Sequence, residues 1–220
     1  MFLQVKDINK SYGKYGKIEK QQVLKDVNFI IKEGECVGLL GESGSILIED
    51  LNVKKWIKEN QGKMSVVFQD YTSSANPNFT VKEIILEPLK VLGKKENLDK
   101  ITEDLLDRYL HELSGGQLQR VCIDRSISTK PKFIVLDEAI SSLDVSIQAQ
   151  ILELLKDLKD ELNITYLFIA HDLQVVTYLC DRIIFLYRGE VVENIHSLNL
   201  AYVKNSYAKK LLNSVIPFSI

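Results

Sequence analysis

Phe133-Ile134-Val135-Leu136-Asp137-Glu138 is an unbroken apolar run that ends in two acids. A strand with one wet face alternates apolar and polar residues. A run without a polar position suits a strand buried on both faces, as in a parallel sheet covered by helices. Downstream, Ile147, Ile151, Leu154, Leu155, Leu158 and Leu162 recur at steps of three and four, which marks one face of a helix. Tyr166 to Ala170 reads as a second buried strand, and Arg182 to Leu186 with Glu190 to Glu193 as a hairpin around Arg188-Gly189. This strand–helix–strand alternation predicts an α/β fold with a parallel sheet. Upstream, Met64 to Phe68 is another strand. Val81 to Tyr109 turns helical, with Ile84, Ile85, Leu89, Leu92 and Ile101 spaced among charges. The first forty residues instead predict three strands, Phe2 to Ile8, Val23 to Ile31 and Glu35 to Leu40, with a tight turn at Gly34. A short basic amphipathic helix is expected from Ser206. No internal repeat is visible.

A chain of 220 residues suits one large domain, or a domain with an inserted lobe. Its 45% apolar and 26% charged composition is ordinary for a globular protein, and a net charge of −2 gives no whole-chain pull toward nucleic acid. No apolar run approaches the roughly 18 residues of a membrane span, and Met1 to Asp7 lacks a signal-peptide layout. Cys36, Cys122 and Cys180 are scattered, which predicts buried thiols in a reducing cytosol. His111, His171 and His196 have no metal-ligand spacing.

The acids that close the first strand fall at the carboxyl edge of a parallel sheet, where ligands bind in open α/β folds. Asp137 suits Mg²⁺, and Glu138 suits polarising a water for attack on a phosphate; the plainer reading is a solvated acidic turn. Ser141-Ser142-Leu143-Asp144 follows, and the next buried strand ends in His171-Asp172. A histidine there could bridge a γ-phosphate and the attacking water, or be structural. Leu113-Ser114-Gly115-Gly116-Gln117 precedes a helix over Leu118 to Ile127. Such a helix start offers free N–H groups and a positive dipole end to an anion, or is an ordinary serine N-cap. Gln69 follows a strand and could reach a metal or a water; Tyr12 could stack on a base.

One stretch stops short of its pattern. A phosphate-binding loop reads G-x-x-x-x-G-K-[ST] between a strand and a helix. Gly41, Glu42, Ser43, Gly44 and Ser45 begin it, but Ile46-Leu47-Ile48 stands where Gly, Lys and Ser or Thr should be. Taken alone, Gly34 to Val53 would make a hairpin. A strand in the parallel part of a sheet, however, needs a crossover of a dozen or more residues.

In order and over nearly the whole chain, these residues resemble the nucleotide-binding subunits of ABC transporters. Tyr12 looks like the adenine-stacking tyrosine, and Gly41 to Ser45 like the start of Walker A. Gln69 looks like the Q-loop glutamine, and Ser114, Gly115, Gly116 and Gln117 fall in the signature. Phe133 to Asp137 resembles Walker B with Glu138 as the catalytic glutamate, Ser141 to Asp144 the D-loop, and His171 the switch histidine. The resemblance implies a P-loop NTPase of the ABC type spanning 1–220. It would have an antiparallel β subdomain, a helical lobe at about 81–117 and a tail at about 197–220.

It also implies ATP and Mg²⁺ as bound species, with Mg²⁺ attended by Gln69 and Asp137, and hydrolysis driven by Glu138 and His171. The implied partners are a second ATP-binding subunit arranged head to tail, membrane permease subunits and, indirectly, an extracytoplasmic binding protein. The implied place is the cytoplasmic face of the membrane. Phe68-Gln69-Asp70, Ser73 to Pro77, and His111 to Ile123 are similar to the peptide and nickel importer branch, nickel members above all. The rivals are a degenerate partner subunit and a soluble, non-transport ATPase of the same superfamily.

Against that family, about 20 residues of Walker A and its helix are wanting between Ser45 and Ile46, the length a helix needs to cross the sheet. Either the sequence omits a segment or the protein carries a deletion. A shorter omission near Glu103-Asp104 is also expected. Asp124 and Ser126 stand where small apolar residues are usual; Asp124 either pairs locally with Arg125 or alters a dimer surface.

Overall fold

A computed structural model describes residues 2–12, 21–41, 58, 60–69, 75–95 and 100–214. In chain order its strands are β1 (Leu3–Tyr12), β2 (Gln21–Ile31), β3 (Cys36–Gly41), β4 (Met64–Phe68), β5 (Phe133–Asp137), β6 (Thr165–Ala170), β7 (Arg182–Tyr187) and β8 (Glu190–His196). The helices are α1 (Val81–Val91), α2 (Gly115–Ile127), α3 (Val145–Leu162), α4 (Leu173–Leu179) and α5 (Ser206–Ser214). Short 3-10 segments lie at Lys100–Leu105, Leu110–Glu112 and Ser197–Tyr202. The chain divides into two units: Met1–Ile48 with Leu167–Ile220, and Glu49–Tyr166.

In the first unit β1 and β2 pair antiparallel, with register irregularities around Ile8 and Lys10. β3 runs parallel to β7, with Leu39 opposite Ile184, and β7 turns back antiparallel into β8. Arg188 and Gly189 make that turn with φ of 51° and 82°, the left-handed pair that a two-residue hairpin favours. Glycine is required for a second reason: a Cβ at Gly189 would sit 2.1 Å from the Val23 carbonyl oxygen. The apolar runs anticipated for β3 and β7 are buried, Val37, Ile183, Ile184 and Phe185 completely.

Glu35 anchors the start of β3. Arg182 donates to it from Nε (2.7 Å) and Nη2 (3.0 Å), and also to the Ile30 carbonyl. Burial works against the charged carboxyl, but the Arg182 hydrogen bonds, the Lys32 N–H and both cations together hold its pKa below the ordinary value. The tail helix begins where Glu193 accepts the N–H groups of Lys204 (2.9 Å) and Asn205 (2.8 Å). Tyr207 stacks on Tyr187 with 4.2 Å between ring centroids.

In the second unit β4 and β5 pair in parallel from Met64↔Phe133 to Phe68↔Asp137. α1 opens with a reciprocal cap between Thr80 and Glu83. The helical pattern expected as far as Tyr109 stops much earlier, at Val91. Pro88 inside α1 carries no N–H, and Gly93, at φ 62°, gives the left-handed residue that ends helices. Beyond it the described chain continues in 3-10 turns, and Glu103 and Asp104 lie within one kinked at Thr102. Val81, Ile84, Ile85, Leu105, Leu110, Leu118 and Val121 form the core of this part.

Burial decides against one of the two expected readings of Asp124. Its side chain is fully buried, so it adds nothing to a surface for a partner, and it accepts a 2.6 Å hydrogen bond from Thr102 Oγ1. Arg125 reaches Glu87 at 2.7 Å. Ser126 is buried too, donating to the Ile123 carbonyl at 2.7 Å.

Candidate functional site

The parallel register of β4 and β5 decides the geometry. Because Phe68 lies opposite Asp137, Gln69 and Glu138 emerge side by side at the carboxyl ends of neighbouring strands. Gln69 Nε2 donates to Ser141 Oγ at 3.3 Å. Ser141 in turn donates from Oγ to the Glu138 carbonyl at 3.0 Å, and its N–H points to the same oxygen at 3.1 Å. Glu138 has φ 47°, a left-handed conformation that costs an L-residue about 1–2 kcal/mol. The turn is braced from behind by Gln148, whose Nε2 donates to the carbonyls of Ile140 (3.1 Å) and Leu143 (3.0 Å).

Asp137 is half-buried at the end of β5, and burial first, then the neighbouring Glu138 charge, push its pKa above the ordinary value. A divalent cation would relieve both effects. The donors here, the Asp137 carboxyl and the Gln69 amide oxygen, are hard oxygens of the kind Mg²⁺ takes. Among the described residues no group of three or more His, Cys, Asp or Glu could hold a metal ion.

The glycine turn starts α2 three residues earlier than its apolar pattern suggests, at Gly115. Ser114 is the N-cap: its Oγ accepts from Gln117 N at 3.4 Å, and Gln117 Oε1 accepts from Ser114 N at 3.0 Å. Ser114 and Gly115 are exposed. Gly116 is needed for packing, since a Cβ there would lie 2.7 Å from Ile147 Cγ2 on α3.

The remaining candidates belong to the first unit or lie outside the described residues. Gly41 ends β3, and a Cβ there would meet the Leu186 carbonyl oxygen at 2.8 Å. His171 is exposed directly after β6, before Asp172, which caps α4 through Gln174 N at 2.8 Å. Tyr12 is the last residue of β1. Glu42, Ser43, Gly44, Ser45 and the Ser45–Ile46 junction are outside the described residues.

Two contributors escaped the sequence reading. Gln148 carries a signal only in hindsight: it lies four residues past Asp144, one helical turn, and so faces back over the loop. Tyr109 and His111 stack with 5.8 Å between centroids just ahead of Ser114; Tyr109 precedes the 3-10 turn and His111 lies within it.

Residues 42–141 match the family described as "ABC transporter". The oligopeptide transport ATP-binding protein OppF of Streptococcus mutans is 38% identical over 87% of this chain and 73% of its own length. The metal-staphylopine import system ATP-binding protein CntF of Staphylococcus aureus is 34% identical over 98% of this chain and all of its own. That second alignment runs over 250 positions against a chain of 220 residues, so CntF has internal residues without a counterpart here. Among solved structures, the ATP-binding cassette MJ0796 in a dimeric post-hydrolysis state bound to ADP and Pi superimposes with a TM-score of 0.71. It is 27% identical and covers 88% of this chain and 98% of its own. No helix among the described residues is long and apolar enough to cross a membrane. The chain belongs to the family of ABC transporter ATP-binding proteins.

Proposed function

We propose that this chain is the ATP-hydrolysing subunit of an importer for nickel or short peptides, acting from the cytoplasmic face on separate membrane subunits. The observation that carries the reading is the Phe68↔Asp137 register, which gathers Gln69, Asp137, Glu138 and Ser141 at one strand edge. The whole of 1–220 then serves as one nucleotide-binding domain, with 81–117 as its helical lobe and 197–220 as its tail.

Phosphoryl transfer asks a protein mainly for positioning and charge stabilisation. Glu138 accepts the proton of the attacking water, and His171 steadies the γ-phosphate. Tyr12 stacks on the adenine, and Gly41 to Ser45 approach the phosphates. Asp137 and Gln69 would hold Mg²⁺, which supplies charge neutralisation on the phosphates. Ser114 to Gln117 close over ATP held by a second subunit, so that dimerisation completes each site. The names of OppF and CntF, an oligopeptide transporter and a metal-staphylopine importer, support both cargo classes; the residues around the signature favour nickel.

The unfinished phosphate loop limits what the 220-residue chain does alone. One ammonium–phosphate pair at about 4 Å is worth on the order of 4 kcal/mol at an effective dielectric of 20, or about a thousandfold in affinity. Useful ATP binding and turnover by this subunit are therefore expected only with Gly-Lys-Ser/Thr and its helix in place.

The test is uptake of nickel and of short peptides by the assembled transporter, with and without Gln69→Ala. The substitution is expected to lower transport far more than ATP affinity. Unchanged uptake of both cargoes removes Gln69 from coupling, and uptake of peptide alone decides against nickel.

A further inference from the structure

Cys36 and Cys180 meet inside the first unit. Their sulfurs are 3.3 Å apart, with Cys36 donating, although they stand 144 residues apart in the chain. Both side chains are buried, Cys36 completely and Cys180 with 4% of its surface exposed. The backbone holds them in this position from two sides. Cys36 N donates to Asp181 Oδ2 at 2.8 Å, and Asp181 N donates to the Cys36 carbonyl at 2.9 Å. Beside them α4 lies flush on β3: a Cβ at Gly38 would meet Val176 Cγ1 at 2.2 Å and Cys180 Sγ at 3.1 Å. The sulfurs therefore face each other across the packed contact between β3 and the end of α4.

We propose that Cys36 and Cys180 form a reversible disulfide under peroxide, joining the start of β3 to the end of α4. The bond requires the sulfurs to close from 3.3 Å to about 2.05 Å. Hydrogen peroxide first oxidises one thiol to a sulfenic acid and releases one water. Cys180 is the more accessible of the two, and it follows α4, a helix of seven residues in which Tyr178 is 54% exposed while Leu173, Val175, Val176 and Leu179 are buried. Peroxide reaches it through local opening of this short helix. The Cys36 sulfur then attacks the sulfenic sulfur, the S–S bond forms, and the hydroxyl leaves with the second proton as water. Two thiols and one peroxide give one disulfide and two waters. Because the second thiol already touches the first, capture is intramolecular and precedes further oxidation. Disulfides that form in a reducing compartment are typically transient and regulatory.

Cys122 is the internal control. Burial, only partly offset by the Arg125 charge, pushes its thiol up to about 11; the other two thiols are at least as buried, and what sets them apart is that their sulfurs are in contact.

The experiment treats the full folded chain with peroxide, then denatures it and alkylates it with N-ethylmaleimide for intact mass. The expected product is a loss of two hydrogens with one adduct, mapped to Cys122, and three adducts again after dithiothreitol. Peptide mapping should give a Cys36–Cys180 cross-link, and Cys180→Ala or Cys36→Ala should abolish it. The oxidised chain should melt on the order of 5 °C higher than the reduced one, a rise absent in either variant. Three adducts after oxidation, a sulfinic acid at either position, or a cross-link between chains would overturn the bond. An unchanged melting temperature in the cross-linked chain would overturn the lock between β3 and α4. Neither readout depends on ATP turnover, so the result stands apart from the proposed function.

Discussion

The acidic edge at Asp137–Glu138 and the glycine turn at Ser114–Gln117 lie in the same unit and are built on opposite plans. At the acidic edge, polar groups are spent on position: Ser141 holds the Glu138 carbonyl, Gln69 holds Ser141, and Gln148 holds two further carbonyls of the loop. The effect is to fix one glutamate in a backbone conformation it would not choose. At the glycine turn, the Ser114 hydroxyl and the Gln117 side-chain oxygen cap each other's N–H groups, and Ser114 and Gly115 are exposed. A region braced from within is ready to act on a ligand it holds. A region with a satisfied cap and an exposed helix start is ready to receive one held elsewhere. That contrast is what the proposed division of the site between two subunits asks for.

The strongest test breaks the acidic edge. In the subunit with a completed phosphate loop, Glu138→Gln is expected to cut phosphate release about 10²- to 10⁴-fold, the range for a lost general base. ATP binding should persist, and ATP-stabilised dimers should accumulate on a sizing column. Normal turnover would remove Glu138 from the chemistry.

Next in size is a test that separates capping from anion reception at the glycine turn. Asp caps a helix about as well as Ser, so Ser114→Asp should hold stability within about 0.5 kcal/mol. The added negative charge opposes a phosphate, and ATP-dependent dimerisation should weaken at least about tenfold. Equal loss in stability and dimerisation would show the serine to be a cap and nothing more.

A smaller effect is expected at the brace. Gln148→Leu strips a donor from two loop carbonyls and should cost about 1–3 kcal/mol, read from the urea midpoint, with turnover falling more than ATP affinity. Retained turnover would mean that the strained glutamate needs no such support.

The smallest test leaves both regions alone. Because the folded-state pKa of Glu35 is depressed, its pairing with Arg182 stabilises the fold fully above the unfolded value of 4.5. That contribution disappears as pH falls below 4.5 through the folded value. Solvent screening keeps it near about 1 kcal/mol. Glu35→Gln should flatten this part of the stability–pH curve, and an unchanged curve would assign the acid sensitivity to other carboxylates.

How far the sequence could be read depended on the range of the forces involved. β5, α3 and the β7–β8 hairpin are visible in it because burial on both faces, a helical stripe and a left-handed turn each leave a local pattern. The candidate acids were legible for the same reason, since strand ends are set by short-range signals. The extent of α1 was not, because Pro88 and Gly93 act through single backbone positions that an apolar average overlooks. Nor was the fate of Asp124: nothing local announces that a buried acid will find Thr102, 22 residues away. Gln148 was missed because its hydrogen bonds go to carbonyls, which no residue type advertises.

The absent side chain at Gly116 has a consequence beyond fit. With Ile147 filling the place where a Cβ would be, and Arg120 donating to Gln150 at 3.1 Å, α2 and α3 are geared together near their starts. α3 begins one residue after the loop that carries Glu138 ends. In the head-to-tail pair proposed above, a tooth extended toward a neighbour's ATP would be cut on the same shaft as the loop attending the subunit's own. Any displacement of one would turn the other, so the two catalytic events would share a phase.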